Sequence, residues 1–358
     1  MKTQMLAAAV GLFSSALAAP CGGETPVVGT SSPATPSRTS APSSSASPSS
    51  PPAAEVPTYG PTAAGDGPVG YGAATTGGAG GTTTTVSDCA ALTAAVDKKN
   101  TAKKIVYIDG MLTGCGIVDV GSNTSILGRG AASGVKDTGF RVRKGTNVIF
   151  QNLKMGPAPP KGDLIAIDES TDIFVDHNDF TSVGVVGGKD DYDGLLDITH
   201  AADGITISWN KFSSHWKGSL IGHSDSNAAE DTGKLHVTYH HNLFDQVNSR
   251  LPSVRFGTVH IFNNHITGTE TSGINSRMGA QVYVEASVFD NTNLAMVTNL
   301  DSAEPGAICN VDNLLTGTSN VRITQECTLK VPYAYTAEPA AKVVASVAGG
   351  AGVGKITP

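Results

Sequence analysis

The sequence predicts an all-β solenoid, a parallel β-helix with loops inserted on one face. Three observations predict it. A short unit of alternating β-branched or aromatic residues closed by Asn recurs: Val148-Ile149-Phe150-Gln151-Asn152, Phe174-Val175-Asp176-His177-Asn178 and Ile205-Thr206-Ile207-Ser208-Trp209-Asn210, then again at Asn242 and Asn264. Intervals of 26, 32, 32 and 22 residues separate those asparagines, and a repeat of twenty-odd residues with insertions marks a solenoid. Helix signals nearly vanish after Lys98 while Gly and Asn turns abound, so the repeating element is a strand. Asn at one place in each coil suits a turn where αL is tolerated and side-chain amides stack in a ladder. A β-sandwich is the competing architecture, with turns every ~8–12 residues. The longer intervals put inserted loops on one side, where solenoids build binding faces.

The elements follow in order along 358 residues. Lys2, the apolar run Met5 to Leu17 and the small-residue site Ala16-Leu17-Ala18 form a secretory signal peptide over 1–18, too short and wrongly flanked for a membrane span. Residues 19–66 are a Ser/Thr/Pro-rich leader with few large apolar groups, expected to be disordered and O-glycosylated. Thr82 to Val86 reads as the first strand, and Ser87 to Lys98, with Ala90, Leu92 and Val96, as one short helix. A single domain over 67–358 is expected. Secretion permits disulfides. Of five cysteines, Cys89, Cys115, Cys309 and Cys327 allow three pairings; the local ones, Cys89–Cys115 and Cys309–Cys327, are expected, leaving Cys21 unpaired. Asn123-Thr124-Ser125 is a glycosylation acceptor. A net charge of −7 argues against a nucleic-acid partner, but a local basic cleft can still take an anion. No strong oligomerisation signal is present, so a monomer is expected.

The chemistry concentrates around Arg250-Leu251-Pro252-Ser253-Val254-Arg255, between strand-like runs Leu235 to Asn242 and Val259 to Asn264. An X-Pro step between strands reads as a rigid connection, and arginines held on it would meet an anion, since the guanidinium fork matches carboxylates. Lys217 and Arg277 add to this basic set. Against it stand Asp163, Asp193 and Asp197. Stacked coils would bring these carboxylates together, and an oxygen-only cluster suits a hard cation, calcium in a secreted protein. The stretch is no EF-hand: with Gly194 at the sixth loop position, Lys189 falls first and His200 last. Calcium beside a row of cations makes sense only with a polyanion bridging them.

With these residues assembled, the chain resembles the secreted pectate lyases of polysaccharide lyase family 1, which fold as right-handed parallel β-helices. The resemblance rests on Asp176-His177, Asp193 to Asp197, Tyr239 to Asn242, the Arg250–Arg255 motif, Val259 to Asn264, Arg277 and the closing Ala351 to Lys355, in family order from about Gly67. It implies calcium bound by Asp163, Asp193 and Asp197, Arg250 as the catalytic base, and Lys217, Arg255 and Arg277 holding substrate carboxylates. Lys161 stands where the family commonly has a further ligand, and Asp193 where it usually has Glu. Asp176-His177 belongs to the signature but reads as a structural, hydrogen-bonded pair.

The resemblance further implies β-elimination in (1,4)-α-D-galacturonan, giving oligosaccharides with unsaturated 4-deoxy-galacturonosyl non-reducing ends, in the service of plant cell-wall pectin degradation. An alkaline optimum follows, because neutral guanidine is scarce near neutral pH and nearby cations favour it. Pectin lyase, acting on methylated polymer without calcium, is the rival enzyme; a non-catalytic pectin-binding β-helix is the rival of another class. Other motifs read as incidental. Gly222 to Ser226 lacks the last Gly of a nucleophile elbow, Gly349 to Lys355 lacks the hydroxyl residue of a phosphate loop, and adjacent His240 and His241 would face opposite sides of a strand.

Overall fold

Parallel pairing runs through both sheets of the computed structural model, which describes residues 67–358. The signal peptide, the leader and Cys21 lie outside the described residues. One sheet has ten strands; the other has sixteen and is folded at the long strand Gly134–Arg143, whose first residues pair with Lys154–Met155 and whose last pair with Ile165–Asp168. Each coil therefore presents three strands, for example Leu196–Thr199, Asp203–Ser208 and Lys211–His215. This is the predicted β-solenoid, and unbroken parallel neighbours rule out the sandwich.

Strand alternation fills the interior with columns of apolar side chains. Phe180, Phe212 and Phe244 stack with ring centroids 4.7 and 4.6 Å apart, fully buried. Such offset stacks add to the hydrophobic burial that holds the coils together. The asparagine ladder is present but sits one residue differently from expectation. Asn178, Asn210 and Asn242 each donate from Nδ2 to the Oδ1 of the next at 3.0 Å, and the ladder ends on Asn264. The αL residue is the one before each of them: His177, Trp209, His241 and Asn263. Asn152 belongs to that αL column, with φ 59°, and Leu153 takes its place on the ladder. Asn210→Ala would orphan the Asn178 amide groups and the Val175 carbonyl in a dry interior. The expected loss is about 3 kcal/mol or more, read by denaturant melting.

Helices are few, as predicted, with two differences. The first spans Cys89–Ala95 rather than Ser87 to Lys98; Asp88 caps it by accepting from the Ala91 N–H at 2.8 Å, and Leu92 and Val96 enter the core. The single turn Ala228–Asp231 and the longer helix Ala340–Gly350 were not anticipated. The longer one buries Ala340, Val343 and Val347 over Phe262 and Val288. Its valines and terminal glycines carry weak helix propensity, so tertiary packing decides it. The Gly349–Lys355 stretch thus ends a helix instead of opening one. Both expected disulfides, Cys89–Cys115 and Cys309–Cys327, are formed. Residues 69–81 also differ from a plain linker. They cross several coils, with Tyr71, Gly72, Gly77 and Gly78 N–H groups donating to Thr238, Thr206, Asn147 and Ser125.

His240 ends its strand and His241 is the αL residue after it, so the two rings meet with Nδ1 atoms 3.0 Å apart instead of facing opposite sides. Strand alternation does not extend past the turn. Asp176 and His177 form the expected buried pair, Oδ2 to Nδ1 at 2.6 Å.

Candidate active site

Five neighbouring strands, Ile165–Asp168, Leu196–Thr199, Leu220–Ile221, Ser253–Arg255 and Ile274–Arg277, carry the site. Asp163, Asp193, Lys217 and Arg250 each sit a few residues before one of these strands, so stacking brings together side chains far apart in sequence. The arginine motif is not a simple connection as read above. Leu243–Val247 intervenes before it, and its last three residues are themselves a strand.

Carboxylate oxygens of Asp163, Asp193 and Asp197 lie within 4.8 Å of one another. Asp163 and Asp193 come from loops, and Asp197 from strand Leu196–Thr199. Asp163 accepts from the Gly194 N–H at 2.6 Å and Asp197 from the Leu220 N–H at 3.0 Å. Gly194 is required here: a Cβ would stand 2.4 Å from Asp197 Oδ1. Burial, then the Asp197 and Asp193 charges, push the Asp163 carboxyl up to about 9. Burial also raises Asp197, to about 6, against the pull of Arg250. Three carboxylates held this close are not all kept ionised by the protein alone. The donors are all hard oxygens, which fits a divalent cation such as calcium. Lys161, at the position of a common family ligand, is exposed with φ 59°.

A groove of about 450 Å³ adjoins the cluster, lined by Lys217, Arg250, Arg255 and Arg277 with Trp216 and Asn275. Lys217 is nearly buried and bonds Asp193 at 3.0 Å and Asp190 at 3.3 Å. Arg255 is clamped by Asp225 and donates to the Gly222 carbonyl at 3.0 Å. Asp225 in turn accepts from Ser302 Oγ at 2.6 Å and the Ala303 N–H at 2.9 Å. Despite some burial, the Ser302 hydroxyl and the Arg255 guanidinium hold its carboxyl well below the usual range. Arg277 donates to the Asp301 carbonyl at 2.9 Å; burial, then Arg255 and Arg250, lower it to about 10. Arg250 differs from both. Its guanidinium has no hydrogen-bond or ion-pair partner among the described residues. Its backbone is seated by the Ser219 N–H on its carbonyl at 2.7 Å, over Gly218, where a Cβ would come within 2.6 Å of that oxygen.

The seven residues singled out from sequence therefore converge on one face. Sequence reasoning missed Asp225, Asp190 and His215, whose Nε2–H donates to the Asp193 carbonyl at 2.5 Å. Asp225 lies in the Gly222–Ser226 stretch, which was dismissed as a failed nucleophile elbow. A lone acid about thirty residues before an arginine carries no sequence signal until the coils stack.

Comparison with known proteins agrees with this geometry. A family model described as pectate lyase matches residues 58–356. Pectate lyase B of Colletotrichum gloeosporioides is 50% identical over 285 residues, covering 79% of this chain and 85% of that protein. A probable pectate lyase B of Aspergillus terreus is 44% identical over 298 residues, covering 81% and 90%. Among solved structures, a pectate lyase of Bacillus sp. N165 in complex with trigalacturonate superposes with a TM-score of 0.74 at 31% identity, covering 80% of this chain and 99% of that one. With a match that spans the whole solenoid and the groove on its face, the chain belongs to the pectate lyase family of enzymes.

Proposed function

We propose that this enzyme is a secreted, calcium-dependent pectate lyase that cleaves (1,4)-α-D-galacturonan by β-elimination. The observation that carries the reading is the juxtaposition of a three-carboxylate cluster with a cationic groove in which the Arg250 guanidinium, unlike Lys217, Arg255 and Arg277, has no hydrogen-bond or ion-pair partner among the described residues. Asp163, Asp193 and Asp197 would hold the calcium. When bound, calcium withdraws electron density from a substrate carboxylate and so acidifies the adjacent C–H. Arg255 and Arg277, fixed by Asp225 and the Asp301 carbonyl, position uronate carboxylates with little reorganisation. Lys217 adds positive charge where negative charge develops at the C6 carboxylate. Arg250 takes the C5 proton; that electron pair forms the C4–C5 double bond, and the C4–O4 bond breaks with its pair on O4, which takes a proton from solvent. Because a guanidine acts as the base, activity should peak at alkaline pH.

An extracellular setting fits the signal-like residues 1–18 and the two disulfides. No helix among the described residues is long and apolar enough to cross a membrane. A glycan at Asn123 belongs to the same proposal; that side chain is half-buried and donates to the Thr101 carbonyl at 2.9 Å. We infer a monomer acting directly on polygalacturonate.

The test follows the ultraviolet absorbance of the unsaturated uronide on polygalacturonate at alkaline pH. The expected result is a rise abolished by excess chelator and restored by calcium. A chelator-insensitive rise that is faster on methylated pectin would instead assign a pectin lyase. Binding without any rise on either polymer would leave a non-catalytic β-helix.

A further inference from the structure

The structure repeats, away from the groove, the device that places its arginines. In Arg255-Phe256-Gly257 and Arg277-Met278-Gly279 an arginine ends a strand, the next residue is αL (φ 60° and 50°), and glycine follows. Arg143-Lys144-Gly145 does the same, with Lys144 at φ 58°. Strand register puts Arg143 opposite Asp168 and Asp168 opposite Thr199. One residue back, Ile198 faces Ile221 and Ile221 faces Val254. Arg143 therefore shares a column with Arg255, four rungs away, and Arg277 continues it. At about 4.8 Å per rung, Arg143 stands roughly 19 Å from Arg255 along the solenoid.

Arg143 and Lys144 line a cleft of about 400 Å³ with Lys98, Ser122 and Gly145. Four cations around it share two carboxylates. Asp119 pairs with Arg141 at 2.7 Å and Lys98 at 3.5 Å, and Glu169 with Arg143 at 3.5 Å and Lys144 at 3.4 Å. Asp168, on the next rung, accepts from the Thr199 hydroxyl at 2.6 Å. With Asp168 counted, four cations face three carboxylates, and on a chain of net charge −7 a net positive cleft favours an anion.

We propose that this cleft is a distal docking site for a uronate stretch of the same polysaccharide that occupies the groove. The inference rests on polygalacturonate being the substrate. A polymer held at both places rebinds intramolecularly, which favours long chains over short ones. Arg143 and Lys144 are 58% and 68% exposed, unlike Arg255 and Arg277, so their contribution is screened by salt.

The experiment uses the full chain and the double variant Arg143→Ala/Lys144→Ala. In native affinity gels containing polygalacturonate and excess chelator, the variant is expected to bind roughly three- to tenfold more weakly, as fits two exposed charge contacts. The difference should vanish at about 0.5 M salt and on fully methylated pectin. kcat/KM on trigalacturonate, too short to span both places, should stay unchanged. Equal retardation of variant and parent, or an equal loss on trigalacturonate, would overturn the proposal. If the parent is retarded in the gel but releases no unsaturated product, the lyase reading fails while docking stands. If it is active and the variant is unshifted, docking alone fails.

Discussion

Arg250→Ala is expected to lower kcat on polygalacturonate by about 10³-fold while leaving substrate affinity within a few-fold, because a positioned general base contributes about 10²–10⁴. The structure separates this residue from its neighbours. Arg255 is tied to Asp225 and Arg277 to the Asp301 carbonyl, whereas the Arg250 side chain lines the groove with no hydrogen-bond or ion-pair partner among the described residues. Loss of Arg255 or Arg277 should therefore appear largely in KM, and loss of Arg250 in kcat. The substitution removes no hydrogen bond or ion pair of the guanidinium to the described residues, so the fold should be retained, and circular dichroism and melting serve as controls. Single-turnover product formation together with equilibrium binding to polygalacturonate checks the split. Unchanged turnover would remove Arg250 from the proton transfer.

Calcium is expected to stabilise the fold, and more so as pH rises. Asp163 is pushed up to about 9 and Asp197 to about 6 in the metal-free protein, from an ordinary 3.8. Unfolded, both carboxyls ionise near pH 4. Between about pH 4 and 9 the metal-free fold thus holds protons that the unfolded chain has released, so stability falls as pH rises through that window. A divalent cation favours the ionised cluster and reverses this loss. At one fixed concentration, about 100 times its Kd at pH 9, calcium should raise Tm by roughly 5–10 °C at pH 8–9 and by less at pH 5. Asp163→Asn should flatten the pH dependence of the metal-free protein and shrink the calcium shift. Differential scanning fluorimetry with and without chelator across this range reads both, independently of turnover. A calcium shift of the same size at pH 5 and pH 9 would contradict the assignment of these carboxylates.

Local pattern was enough to read the coils, since side-chain alternation and a recurring Asn are properties of a few consecutive residues. Where the reading slipped, the cause lay between coils. Asn152 has the right residue type at the αL position instead of the ladder position, and only the hydrogen bond from Leu153 N–H to Asn178 shows the offset. His241 leaves the strand alternation because a turn follows His240. Ala340–Gly350 is helical because Phe262 and Val288 offer it an apolar surface.

The site divides in the same way. Residue types and motif order by themselves determined that acids and cations would oppose each other on one face and that the chain resembles the pectate lyases. Only the tertiary structure decided which of the three cysteine pairings forms, that Asp163, Asp193 and Asp197 converge within 4.8 Å, that Asp225 clamps Arg255, and that the Arg250 guanidinium has no hydrogen-bond or ion-pair partner among the described residues. The physical reason is the stacking of parallel strands. It turns sequence separations of twenty to thirty residues into single rungs, and the charges it brings together then set one another's protonation and orientation.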